Sequence, residues 1–116
     1  MGEALGPLRS EGVLLLCSGG AVHNLRRLRW EGGEKIDPFA AEFSSWLEES
    51  LQSPHRRAAL ARWREAPSSS LAHPSTEHLE PLIVAAGAAR DDEPVSVVHS
   101  SFSHGSLSLY SVAFGA

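Results

Sequence analysis

Six histidines stand out in this chain of 116 residues, because imidazole both exchanges a proton near neutral pH and ligates metals. Two are placed where chemistry is done. His23 follows Gly19-Gly20, the turn that closes the apolar run Val13, Leu14, Leu15, Leu16 and Cys17. A buried strand ending in such a turn, with a helix starting after it, forms the crevice where open α/β sheets hold ligands, and the helix start adds free backbone donors. His23 therefore reads as a general acid/base or an anion-contacting group. The competing reading is a local cap or a partly exposed polar residue. The glycine pair is not a phosphate loop, since it lacks both the G-x-G-x-x-G spacing and the P-loop lysine.

His78 is the better metal candidate. On a helix expected over residues 74–86 it lies about 40° around the axis from Leu82, at the margin of an apolar face made by Leu79, Leu82, Ile83 and Ala86. Glu77 and Glu80 point away from that face, and Pro81, lacking a backbone donor, is expected to bend the helix within a turn of His78. The competing reading is an imidazole satisfied by a backbone carbonyl at the helix start. One imidazole does not make a metal site, and neither H-E-x-x-H nor a facial triad is written locally. His73, before Pro74, reads either as a neighbour of His78 or as a capping or exposed loop residue. His99 and His104 fall at the end of one strand and in the turn before the next, while His55 reads as solvent-facing and Cys17 as a small buried apolar side chain.

The elements that must position these residues follow from spacing. Residues 12–18 read as a strand buried on both faces, and residues 21–30 as a helix with Val22, Leu25 and Leu28 on one side, broken by Gly32 and Gly33. Asp37-Pro38 opens a strongly amphipathic helix in which Phe39, Phe43, Trp46, Leu47 and Leu51 fall within an arc of roughly 140°. Pro54 restarts a helix carrying Ala58, Ala59, Leu60 and Trp63, residues 67–71 form a loop, and Gly87 stops the helix of His78. Strands are expected over residues 95–99 and 106–114, after the turn of Asp91, Asp92, Glu93 and Pro94. This order gives an α/β class with about three strands and about four helices in a single domain, residues 1–116. A strand as apolar as 13–17 requires neighbours on both sides, so the thin sheet implies cover from another chain or from the rest of a larger fold.

Composition removes several classes. Fourteen acidic against ten basic residues give a net charge of −4, and 42% hydrophobic with 21% charged residues is a globular balance rather than a disordered one. The longest apolar run is five residues, far below the ~20 of a bilayer span, and no secretory leader is expected at residues 1–8. One cysteine excludes an internal disulfide framework and a multi-thiolate zinc site, so a cytoplasmic protein is expected. Mild acidity argues against polyanion binding, despite clusters at Arg26, Arg27 and Arg29 and at Arg56, Arg57, Arg62 and Arg64. Trp30, Trp46 and Trp63 read as core or interface anchors rather than a base-stacking platform.

Laid out in order, the chain resembles the C-terminal half of the class III extradiol ring-cleavage dioxygenases of the DOPA-dioxygenase type. The resemblance is carried by Glu11-Gly12-Val13-Leu14 with Ser18-Gly19, Val22-His23-Asn24-Leu25-Arg26, Pro38-Phe39-Ala40, Glu42-Phe43 and Trp46-Leu47. It continues through Ala66-Pro67, Ala72-His73-Pro74, Glu77-His78-Leu79, Pro81-Leu82, Gly87-Ala88 and Gly105-Ser106-Leu107-Ser108. Each motif is weak alone, but the ordered series spans nearly the whole chain.

The resemblance implies a metal-dependent oxidoreductase that opens a catechol-type ring beside its two hydroxyls with dioxygen, using one Fe(II), or Zn(II) in some members, per complete site. By its matching motif His78 looks like one of three histidine ligands, and His23 looks like the acid/base that handles catechol protons. Asn24, His73 and His104 match weaker positions near substrate. The sequence departs from the family pattern in two ways. The other two ligand histidines belong to an N-terminal half that this chain does not contain, and Cys17 stands where the family usually has glycine. The implied partners are a catechol-type substrate, dioxygen and a complementing N-terminal half or a homo-oligomer, with neither nucleic acid nor membrane. The alternative is a non-catalytic fragment or self-associating interaction domain of the same fold.

Overall fold

The stripe of Phe39, Phe43, Trp46, Leu47 and Leu51 builds the longest helix and the centre of the core. In the computed structural model, which describes residues 1–31 and 35–115, this helix spans Pro38–Gln52. Around it come helices at Gly2–Arg9, Arg56–Ala61, Ser69–Ala72 and Glu80–Ala88, then strands Val95–Ser103 and Leu107–Phe114. In chain order these are α1 (Gly2–Arg9), α2 (Pro38–Gln52), α3 (Arg56–Ala61), α4 (Ser69–Ala72), α5 (Glu80–Ala88), β1 (Val95–Ser103) and β2 (Leu107–Phe114). Single 3-10 turns sit at Leu25–Arg27 and Trp63–Glu65.

Phe43, Leu47 and Leu51 are fully buried with Leu60, Leu79 and Val22, and Phe39 and Trp46 pack against them. Each such side chain contributes roughly 1.5–3 kcal/mol by leaving water, so α2 is the element that holds the others in place. The hairpin is antiparallel, from Val95 opposite Phe114 to Ser103 opposite Leu107, with an irregularity between Val97 and His99. Its turn places His104 at φ 54° and Gly105 at φ 83°, the left-handed geometry that lets a hairpin reverse. Arg56 is buried under the start of the hairpin, donating to the carbonyls of Asp91 (3.1 Å) and Glu93 (2.6 Å) with its guanidinium over the Phe114 ring. Glu93 in turn grips Arg9 at 2.6 and 2.8 Å, tying α1 to the same corner.

The α/β class stands, but the described residues hold five α-helices and a two-stranded sheet rather than about four helices and about three strands. The run 13–17 is not a buried strand. It has no ladder partner, and Val13, Leu14 and Leu16 are 43%, 86% and 89% exposed, because nothing in the described residues lies alongside to pair with it. The helix expected over 21–30 is reduced to the 3-10 turn. Val22 bridges Ser108 of β2, and the Asn24 side chain accepts from the Arg26 N–H, competing with helical bonding. Gly32 and Gly33, expected to break that helix, lie outside the described residues.

The helix expected from residue 74 starts only at Glu80. Pro81 therefore falls in its first turn, where a missing N–H breaks no bond, and it does not bend the helix at His78. Gly87 does not stop it, since it runs on to Ala88. Residues 67–71 contain most of α4 instead of a plain loop, and β1 extends four residues past His99 to Ser103. Trp30 is 76% exposed rather than an anchor in the core, and Cys17 is half-buried in the wall of a cleft.

Candidate functional site

Residues 20–24 are fastened to α4 and to the loop that follows it by four hydrogen bonds, and the two leading histidines ride on these segments. Gly20 N–H donates to the His78 carbonyl (2.8 Å) and His23 N–H to the Ala72 carbonyl (3.0 Å). The Asn24 amide donates to the Leu71 carbonyl (2.7 Å), and the His73 Nε2–H donates to the Ala21 carbonyl (2.8 Å). A Cβ at position 19 would collide with the His78 carbonyl oxygen, so the close approach that makes this clasp demands glycine there. The Val22–Ser108 bridge fixes the first loop to β2, and the buried Ser44 hydroxyl, donating to Ser108 Oγ at 3.3 Å, fixes that point to α2.

Within this frame the His23 and His78 rings stack, with centroids 3.5 Å apart and planes inclined by 23°. The pKa of His23 is lowered from its ordinary value, first by burial and then by the adjacent His78, which disfavours a second positive charge. A lowered value keeps the ring neutral at pH 7 and able to accept a proton. His78 stays more open, with a side chain 37% exposed and Nε2 3.5 Å from the Glu77 carboxylate. Glu77 is lowered by its own backbone N–H and by the Ser75 hydroxyl, so an anion is held beside the histidine pair.

His78 lines one side of a cleft of about 660 Å³ whose walls also include Val13 to Ala21, Leu82 and, across the gap, Tyr110 to Phe114 of β2. Tyr110 carries a phenol whose pKa is raised by burial and by Glu48. Sequence reasoning passed over Tyr110, since strand alternation alone does not show which face of β2 meets a cleft.

The remaining sequence-selected residues are placed differently. His73 is 3% exposed, bonded to the Ala21 carbonyl and set edge-on to Phe43 and Trp63, neither capping by its side chain nor exposed. Its lowered pKa comes first from burial. Asn24 is buried with its amide spent on the loop clasp. His104 sits in the hairpin turn, where its partners are Ser103 and Trp30 rather than His23 or His78. His55 is exposed, as expected. Among the described residues no three His, Cys, Asp or Glu side chains converge to hold a metal ion, so these residues by themselves do not supply a metal's donor set.

The sequence profile of a family described as the catalytic LigB subunit of aromatic ring-opening dioxygenase matches residues 1–115. This chain belongs to the LigB family. It is 35% identical over 117 residues to the 4,5-DOPA dioxygenase extradiol of Escherichia coli K12, covering 99% of this chain and 43% of that protein. It is 39% identical over 116 residues to the enzyme of the same name from Portulaca grandiflora, covering 98% and 42% respectively. The crystal structure of an uncharacterized Escherichia coli K12 protein, JW3007, superposes with a TM-score of 0.88 at 34% identity, over 96% of this chain and 46% of that one. This LigB chain therefore spans a little under half the length of the relatives it matches.

Proposed function

We propose that this chain contributes the acid/base and one metal-binding imidazole to an extradiol dioxygenase that opens a catechol-type ring with dioxygen. The observation that carries the reading is the His23–His78 pair, stacked at 3.5 Å where the Gly19-Gly20 turn meets the cleft. In this reading His78 is one ligand of an Fe(II) or Zn(II) centre, and the remaining ligands come from the amino-terminal half of a LigB-type polypeptide. The metal, when bound, supplies Lewis acidity and open positions for catecholate and dioxygen. His23 stays off the metal. Its neutral ring takes a proton from a catechol hydroxyl and can return it as the ring opens.

Asn24 and His73 support this arrangement through the loop clasp, and no role near substrate is proposed for His104. The single unpaired Cys17 favours a cytoplasmic setting. No helix among the described residues is long and apolar enough to cross a membrane.

The test is to co-express the chain with the amino-terminal half of a LigB relative, then measure metal content and catechol-dependent oxygen uptake. His78→Ala should abolish metal loading. His23→Gln should retain the metal and lose ~10²–10⁴-fold in turnover, the usual scale for removing a general acid/base. Undiminished metal binding in His78→Ala, or full turnover in His23→Gln, would sink the assignment.

A further inference from the structure

The motif Gly105-Ser106-Leu107-Ser108 has no part in the chemistry proposed above, yet the loop after His23, the head of α2 and the loop of His23 itself are fastened to it or to the residue before it. The Arg29 N–H donates to the His104 carbonyl (2.9 Å), and the Asp37 N–H, at the N-cap of α2, donates to the Gly105 carbonyl (2.8 Å). The third tie is at Ser108. Its N–H donates to the Val22 carbonyl at 3.3 Å, and its hydroxyl oxygen accepts from the Ser44 hydroxyl of α2, also at 3.3 Å. Val22, Ser44 and Ser108 are 0%, 7% and 3% exposed, so neither bond competes with water.

The bonds around His23 therefore act in two directions. All four bonds of the clasp run between residues 20–24 and residues 71–78, so they set the His23 ring against the His78 ring and none of them reaches β2. Among the described residues the bond from Ser108 to Val22 is the one that ties residues 20–24 to β2, whose residues Tyr110 to Phe114 form the opposite wall of the cleft. A single bond of 3.3 Å, just beyond the usual range, gives little directional hold alone. The hydroxyl contact supplies the rest, because it holds Ser108 to α2, the element that carries the core. We infer that Ser44 and Ser108 are positioning residues: their hydroxyl pair seats the clasped segments on β2 and so fixes how far His23 stands from the opposite wall of the cleft. The consequence for turnover rests on the dioxygenase reading, whereas the seating does not.

The test is a double-mutant cycle of Ser44→Ala and Ser108→Ala, read in this chain by NMR. In either single variant the Ser108 amide should exchange roughly 3–10-fold faster, the scale of one net hydrogen bond, and the contact between Val22 and Ser108 should weaken. The Gly20 and His23 amides and the His23–His78 ring contact should stay as in the parent, because the clasp is intact. The double variant should match the singles, since losing either hydroxyl already breaks the pair. Ser108→Thr keeps a hydroxyl and should restore the parent's rate. Ser106→Ala controls for the loss of a buried serine as such: Ser106 is 0% exposed and its Oγ has no partner among the described residues, so the Ser108 amide should not respond. With the amino-terminal half of a LigB relative supplied, each alanine variant should lose up to ~100-fold in kcat with a smaller change in KM, and Ser108→Thr should recover it. Additive single effects, an unchanged Ser108 amide, or full kcat in Ser44→Ala overturns the inference. A parent complex without turnover removes the dioxygenase reading instead, and the exchange rates then decide the seating.

Discussion

The two walls of the candidate site are built on opposite principles. Behind His23, the wall of His73, Asn24, α2 and Trp63 is closed. His73 and Asn24 are buried, the loops are clasped by four hydrogen bonds, and Phe43 seals the aromatic side. In front of His78, the wall of residues 14–17 is open, with two leucines almost wholly in water and no backbone pairing among the described residues. The same chain therefore holds a self-sufficient core and an apolar edge that gains nothing from folding alone. The histidine pair is thus positioned by contacts made within the described residues, while the apolar edge beside it takes no part in that core.

The comparison can be broken most forcefully in the closed wall. Phe43→Ala should destabilise the chain by ~3–5 kcal/mol in denaturant unfolding, because a large cavity opens beneath His73 and Trp46. A loss below ~1 kcal/mol would mean that the core does not rest on this stripe.

Next is the ionic clasp at the back of the open wall, where Arg9 and Glu93 meet. The Arg9 guanidinium holds the Glu93 carboxyl down to about 2 from its usual 4.5. A depressed folded value stabilises the native state fully above the unfolded value, and the contribution fades as pH falls from about 4.5 toward 2. An upper figure of ~3 kcal/mol is at stake. Glu93→Gln should lower stability at pH 7 and flatten its decline in that window, as read from unfolding midpoints between pH 7 and 2. An unchanged acid limb would remove the clasp from the account.

Smaller again is His73→Leu, which leaves the Ala21 carbonyl without its donor and should cost ~1–3 kcal/mol. Amide exchange at Gly20 and His23 should accelerate with it, because the loop clasp loosens, and the ring contacts between His23 and His78 should weaken in NMR spectra. Equal exchange rates in parent and variant would make His73 a core residue only. The smallest effect belongs to the open wall: Leu14→Ser with Leu16→Ser should shift stability by less than ~0.5 kcal/mol per site. A large loss there would mean that the segment is buried in the free chain.

Much of this was legible in sequence wherever one element's own periodicity carried the signal. The stripe of α2 gave both its helix and its buried face, and the two closing strands were expected at 95–99 and 106–114, the first of them four residues short of its observed end. The reading ran out where a residue's state depends on a partner distant in sequence. An apolar run such as 13–17 specifies a strand only if another strand lies beside it. Val22 to Trp30 has helical spacing, yet the Val22–Ser108 bridge and the Asn24 bonds claim its first residues. His73 carried no mark of burial, since its ring is enclosed by Phe43 and Trp63 from two other segments.

The sequence by itself determined the α2 stripe, the two closing strands and the ordered motifs that mark the LigB family, because each is written in residues close together along the chain. Only the tertiary structure decided that His23 and His78 stack, that His73 and Asn24 serve the scaffold, that His104 stands with Trp30, and that Val13, Leu14 and Leu16 face solvent. Those outcomes depend on which surfaces meet across long stretches of chain, and burial is a property of the pair of surfaces rather than of either one.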